Sequence, residues 1–356
     1  MRKFVASLWC CLFFLSSMAQ QKAVEEIVDR FVDTLAAHSY MQQNMDFEQL
    51  RKETKLKVQD MTATDSLLPV LRQVVKGLKD HHSNVFQTDE KEDELALLKL
   101  IATTTYEQAG MPPRNFQHRM IEGKYAYINV PGVALEHKRT IDTLQKQIAH
   151  LDSQNPKAWI IDLTENDGGS YHPMIYPFHY LIDTVQTFSF ANGKKDVHGN
   201  DVLENPFKVP SNGLYIDNSL EARTIGIDSV QAKPIQHHDI PIIVLISNIT
   251  GSSGEITAVH FKGQKNVTLV GNKTSGLTSS NSVFAIGGGY YLNLMTELLH
   301  DRTGKTYAIG EGVDPDIPVD IKMPADLKNF QQRLAYVKAN KDVFLQKAIM
   351  VLESLE

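Results

Sequence analysis

Cysteine is nearly missing from this chain. Its two cysteines, Cys10 and Cys11, both fall in the first eleven residues, so no disulfide framework can hold the remainder, and stability must come from a buried core. The most apolar stretch, Phe4 to Met18, is shorter than the roughly 20 residues a membrane-spanning helix needs. An excess of positive charge is also absent: 36 Lys and Arg stand against 42 Asp and Glu, a net charge of −6. That balance argues against a general nucleic-acid or anionic-membrane binder. The lack of an internal repeat or low-complexity tract excludes a solenoid or an array.

What is present reads as a globular chain long enough, at 356 residues, for one large or two ordinary domains. Arg2 and Lys3 precede the Phe4 to Met18 run, and Ser17-Met18-Ala19 supplies small residues beyond it. That order predicts a signal peptide over 1–19, cleaved before Gln20. Leu8-Trp9-Cys10 lacks the small residues that precede a lipoprotein cysteine. The mature chain would then hold no cysteine, as suits a bacterial periplasm or the cell exterior, with no stable membrane insertion.

The region 20–115 reads as all-helical. Val24, Ile27, Val28, Phe31, Val32 and Leu35 recur at helical spacing, as do Leu67, Val70, Leu71, Val74, Val75 and Leu78; Leu95 to Ile101 makes a third run. The second helix runs out at Lys79-Asp80-His81-His82-Ser83. This end has three readings: a base with polar neighbours, cations suited to the helix dipole, or, weakest because adjacent histidines diverge on a helix, a metal-binding fragment.

From Tyr125 the pattern changes. Tyr125 to Val130 is a strand, Ile141, Leu144, Ile148 and Leu151 mark a helix, and Trp159 to Leu163 is a buried strand, giving a βαβ unit and a partly parallel sheet. The turn Asp162-Leu163-Thr164-Glu165-Asn166-Asp167-Gly168-Gly169 follows. Paired glycines permit positive φ and close approach to the backbone, so this is either an ordinary turn or a source of oxyanion-binding amides. The polar, turn-rich residues 184–238 read as an insertion at the rim of a site, with hairpin ends at Asn192-Gly193 and His198-Gly199-Asn200. Strands follow at Tyr290 to Leu294 and a tight turn at Asp301 to Lys305. The tail 323–356 reads as helical, with Phe344, Leu345, Ile349 and Leu352 as its packing stripe. The α/β core is thus bounded at 116–322.

The organising stretch is Pro241 to Gly276. The β-branched run Ile242 to Ile246 is a buried strand, Asn248 to Gly251 breaks it, and a helix starts near Gly254, which sets Ser252 at a strand-to-helix turn. Unpaired amides and the helix dipole there could hold an oxyanion. Ser252 and Glu255 stand three apart, which is also the spacing of a plain capping box.

Four pieces, in order, resemble one pattern: Asp80/His82/Ser83, the Asp162 to Gly169 turn, Ser252-Ser253-Gly254-Glu255 with Gly271 to Gly276, and Gly312 to Asp316. Together they are similar to the tail-specific, or carboxy-terminal processing, serine peptidase family, related to the tricorn protease core and to interphotoreceptor retinoid-binding protein modules. The resemblance implies an α/β, crotonase-like (ClpP-like) core of ββα units with helices before and after it. The 113–125 interval leaves no room for a PDZ domain at its usual place.

By position, Ser252 matches the nucleophile, His82 the general base of the branch without a catalytic lysine, and the amides of Ser253 and of Gly168 or Gly169 the oxyanion hole. Leu277 stands where the serine-lysine branch has its lysine, so a Ser/Lys dyad is rejected. Ile309 stands where a glutamate orients the histidine, which moves that role to Glu311, with Glu297, Asp80 and Ser83 as the other groups that could fix the imidazole. Thr164 replaces a common arginine. The resemblance implies an exported serine-type endopeptidase acting on unstructured or carboxy-terminal segments of a peptide or unfolded protein, with no metal or organic cofactor. The alternative is a degenerate relative holding a peptide or apolar ligand in the same cleft.

Overall fold

The computed structural model describes residues 2–61, 67–88, 94–183, 186–206 and 213–355. In chain order the helices are α1 (Arg2–His38), α2 (Phe47–Val58), α3 (Leu67–Gly77), α4 (Glu94–Thr103), α5 (His137–Asp152), α6 (His172–Ile175), α7 (Leu220–Ile225), α8 (Ser253–Phe261), α9 (Phe330–Ala339) and α10 (Lys341–Glu353). The strands are β1 (Asn84–Gln87), β2 (His118–Ile121), β3 (Tyr125–Asn129), β4 (Ala158–Asp162), β5 (Phe188–Lys195), β6 (Asp201–Glu204), β7 (Leu214–Ile216), β8 (Ser229–Gln231), β9 (Ile242–Ile246), β10 (Val267–Gly271), β11 (Ser279–Gly287), β12 (Tyr290–Asp301) and β13 (Ile317–Pro318). Among the described residues no helix is long and apolar enough to cross a membrane.

The chain divides into two compact units. The first comprises the residues up to Leu97 and a returning segment, Ser280–Glu297. The stripe Val24 to Leu35 of α1 is buried, and it shares a core with Leu67, Leu71, Val74 and Val75 of α3 and with Val85, Ile286, Tyr290, Leu292 and Leu294. The region read as all-helical therefore contains a strand. β1 pairs antiparallel with β12, Val85 opposite Leu292, and the alternation of Val85 and Phe86 shows a strand only once that distant partner is known.

The second unit, Leu98–Ser279 with Leu298–Glu356, is a three-layer α/β structure. Its six-stranded sheet runs β13-β10-β9-β4-β3-β2, parallel from β13 to β3 with β2 antiparallel at the edge. Trp159 and Ile161 of β4, and Ile242, Val244 and Ile246 of β9, pack on one face with Ile141, Leu144 and Ile148 of α5 and Ile256, Val259 and Phe261 of α8. Ile160, Ile243 and Leu245 face the other way, against Val337, Phe344, Ala348 and Leu352 of α9 and α10. Burial on both faces is why these strands read as unbroken apolar runs rather than alternating ones.

Two readings of the 184–238 stretch change. Phe188, Phe190, Tyr215, Ala222, Ile225, Ile227, Ala232 and Ile235 belong to the main core, so its described residues are an integral part of the unit rather than a rim insertion. Intervening polar residues on β5 and its turn had hidden that apolar alternation. Asn192-Gly193 lies inside β5, at the register shift between Ala191 and Lys195, and so marks a bulge. The turn is at Asp196 to Asn200, where Asp196 Oδ1 accepts the amides of His198 and Asn200 at 2.8 and 2.9 Å.

Candidate active site

The carboxyl ends of parallel strands gather the turns that follow them, and crossover connections leave backbone groups there open to a ligand. In the second unit, β3 leads into Val130 to Val133, β4 into Leu163 to Gly169, β9 into Ser247 to Ser252, and β10 into Asn272 to Thr278. Four sequence-expected residues, Ser252, Ser253, Gly168 and Gly169, meet in these turns.

Ser252 is the N-cap of α8, half-buried, with φ 52° and ψ −121°. That is a strained conformation for a residue with a side chain, typically costing about 1–3 kcal/mol, and it projects the hydroxyl from the sharp strand-to-helix bend. Ser252 and Glu255 take up the capping-box arrangement that their spacing suggested. Glu255 Oε2 accepts the Ser252 amide at 2.9 Å, but the Glu255 amide gives its hydrogen to the Ser252 carbonyl at 2.8 Å. The serine makes no side-chain cap hydrogen bond.

Gly168 lies against this serine. A Cβ on Gly168 would come within 2.8 Å of the Ser252 Cβ, and its φ is +115°, so only glycine permits the approach. Its amide is not available as an oxyanion donor, because it is given to Asn166 Oδ1 at 3.0 Å. That removes one of the two expected donors and leaves Gly169. The Gly168 carbonyl accepts the Val133 amide at 2.9 Å, which fixes the peptide carrying the Gly169 N–H. The Ser253 hydroxyl donates to the Gly169 carbonyl at 2.5 Å, tying the start of α8 to the same turn. Sequence could not show this, since Asn166 looked like one turn residue among several. In fact it is fully buried, gives its side-chain N–H to the Val130 carbonyl at 3.0 Å, and accepts the Gly251 amide on its own carbonyl at 2.9 Å.

Glu255 is the residue whose environment sequence most understated. It is fully buried. Oε1 accepts the Thr274 hydroxyl at 2.5 Å and the Gly276 amide at 2.9 Å; Oε2 accepts the Leu277 amide at 2.8 Å besides that of Ser252. Burial raises its pKa to about 7, against the pull of those four hydrogen bonds.

Glu311 accepts the Ala308 amide at 3.1 Å and pairs with Lys305 at 2.7 Å. The Lys305 hydrogen bond and the Ala308 amide lower its pKa.

His82 belongs to the first unit. Asp80, buried there, takes the amides of His82 and Ser83 on Oδ1 at 3.1 and 2.9 Å and the Ser83 hydroxyl on Oδ2 at 2.6 Å. The Ser83 hydroxyl in turn accepts the Met295 amide at 2.9 Å, and the His82 carbonyl accepts from Asn281 at 3.0 Å. Lys79 and His81 flank Asp80 at φ 58° and 60°. Asp80 thus shapes a tight turn that presents His82. Burial pushes the imidazole down to about 4, with Asp80 opposing the shift, so it is neutral at pH 7 and able to accept a proton.

The profile of Peptidase family S41 matches residues 124–319. The nisin-resistance protein of Lactococcus lactis subsp. lactis is 29% identical over 197 residues, 55% of this chain and 57% of that one. A carboxy-terminal-processing protease of Bartonella bacilliformis is 25% identical over 218 residues, 60% of this chain and 43% of the relative. The chain thus spans about half the length of the curated relatives it matches. In fold it is similar to a lipoprotein from Streptococcus agalactiae, at a TM-score of 0.62 and 18% identity over 89% of this chain and 97% of the other. Since the profile covers more than half of the sequence, including both the Gly168-Gly169 turn and Ser252, the chain belongs to peptidase family S41.

Proposed function

We propose that the chain is an exported serine-type endopeptidase that cleaves unstructured or carboxy-terminal peptide segments through a serine acyl-enzyme. The observation that carries this reading is Ser252 itself: a strained serine at the N-terminus of α8, packed against Gly168 of the paired-glycine turn, with no side-chain cap hydrogen bond. Ser252 attacks the scissile carbonyl, His82 accepts its proton and then gives it to the leaving amine, and the two amides hold the oxyanion.

For the carboxylate that orients His82 we favour Glu297 over Glu311. Glu311 is already neutralised by Lys305, whereas β12 carries Met295 against the Ser83 hydroxyl and Glu297 follows two residues on. The crotonase-like arrangement of the core, the division of the chain near residues 115 and 322, and cleavage of a leader before Gln20 belong to the same proposal. The matches to processing peptidases give no preference to a cleft kept only for ligand binding.

The test is a digest of casein and a mixed peptide pool, read by mass spectrometry, with Ser252→Ala and His82→Ala prepared in parallel. Cleavage by the parent and none by either folded variant is the expected result. Equal cleavage by all three would end the serine-peptidase reading, and full activity in His82→Ala alone would end the base assignment. Glu297→Gln should lose more turnover than Glu311→Gln; the reverse order would return the carboxylate to Glu311.

A further inference from the structure

We propose that Arg72, Lys76 and Lys79 form a carboxylate-binding subsite beside the turn that presents His82, and that this subsite selects peptides by an acidic side chain. The proposal deepens the peptidase reading and rests on His82 being its base.

The chain as a whole is acidic, at a net charge of −6, yet these three cations line one open cavity of about 250 Å³ together with Asp80 and Ser83. Arg72 and Lys76 stand four apart on α3, and so on one face, and Lys79 lies just past its end. All three are exposed, and among the described residues none of them pairs with an acidic side chain. Cations near a helix C-terminus answer the dipole, which accounts for Lys76 and Lys79. It does not account for Arg72, more than a turn before the end of α3. The Arg72 Nε donates to the Val85 carbonyl at 2.8 Å, which anchors the guanidinium plane. Its terminal N–H groups make no hydrogen bond among the described residues. An anchored guanidinium with those groups unspent is the donor pattern that a carboxylate fills.

Asp80, the acidic group of the lining, does not cancel these charges. It is buried, and its oxygens already take the amides of His82 and Ser83 and the Ser83 hydroxyl. The size of the cavity points to the kind of ligand. At about 250 Å³ it is smaller than the roughly 300–1,000 Å³ of a site for a free small molecule, and it suits one side chain of a longer peptide. Asp80 and Ser83 belong both to the lining and to the turn that carries His82. A peptide whose acidic side chain enters the cavity is therefore held next to the base. The overall charge of the protein repels such a peptide, so a preference for it has to arise locally.

The experiment uses the full chain and two peptides made from one unstructured segment of casein. Both are acetylated and amidated; one carries glutamates, and the other has glutamine in their places, so side-chain carboxylates are the only difference. The parent is expected to show kcat/KM about 10-fold higher for the glutamate peptide, the difference lying in KM. That preference should fall to about 2-fold in about 0.5 M NaCl, because the cations are exposed. Lys76→Gln/Lys79→Gln should also reduce it to about 2-fold, and Arg72→Gln should do so by itself. If Arg72→Gln does not fold for want of its bond to Val85, the lysine pair decides. Equal kcat/KM for the two peptides in the parent, or a preference undiminished in Lys76→Gln/Lys79→Gln, overturns the inference and leaves the peptidase reading standing. Fluorescence anisotropy of the labelled peptides, measured on Ser252→Ala with and without the lysine changes, separates the two claims. Tighter binding of the glutamate peptide that the lysine changes abolish, with no cleavage by the parent, would keep the subsite and end the peptidase reading.

Discussion

Ser252 and Glu255 divide two tasks that capping-box spacing merges. The serine hydroxyl makes no side-chain cap hydrogen bond, while the glutamate accepts the serine amide and is itself buried. A glutamate raised to about 7 is more readily protonated folded than unfolded. Its contribution to stability is therefore complete below its ordinary value, 4.5, and is lost as pH rises through about 7. Activity should run the other way, since the ionised form accepts all four donors. We expect kcat to fall as pH drops through about 7, and again through about 4 as His82 takes a proton. Glu255→Gln should show only the lower step. A pH–rate profile checks this, and a parent profile flat from pH 8 to pH 5 would contradict it. The companion measurement is thermal denaturation, where the parent should lose midpoint relative to Glu255→Gln between about pH 5 and pH 8.

Gly169 has φ +112°, and a Cβ there would run into the Val133 carbonyl; Gly169→Ala should destabilise the second unit by about 1–3 kcal/mol and abolish turnover, as read by urea denaturation and the casein assay. Helix α10 supports the opposite side of the same turn. Lys341 bonds Glu165 at 2.8 Å and lies 3.2 Å from Asp162 Oδ2, the same oxygen that accepts the Tyr127 hydroxyl at 2.6 Å. Asp162 is buried while Lys341 keeps about a fifth of its surface exposed, so Lys341→Met should cost about 2 kcal/mol, less than for a wholly buried pair. An unchanged denaturation midpoint would show the pair to be dispensable. Local chemistry made much of this legible in sequence: the run Ile242 to Ile246, the break before Ser252, and the Gly168-Gly169 pair each announce themselves within a few residues. What was not legible depends on partners far along the chain. Glu255 finds its donors at 274–277, the Gly168 amide is diverted by a side chain, β1 needs β12, and the apolar residues of β5 are masked by the polar ones around them.

At the scale of the molecule, the first unit is discontinuous. Its core needs Ile286, Tyr290, Leu292 and Leu294, which the chain supplies only after the whole of 98–279. A chain ending at residue 279 should therefore leave Val24, Phe31, Leu71 and Val75 without those partners. It should be cut rapidly by thermolysin within 20–88, whereas the full chain resists; equal resistance would mean the helices hold their own core. The same connectivity has a bearing on biosynthesis. While the ribosome is still making the sheet strands, the earliest-made helices lack the part of their core that the β11–β12 segment supplies. The segment that presents His82 pairs with β12, so it can take its final shape only when nearly all of the chain has been made.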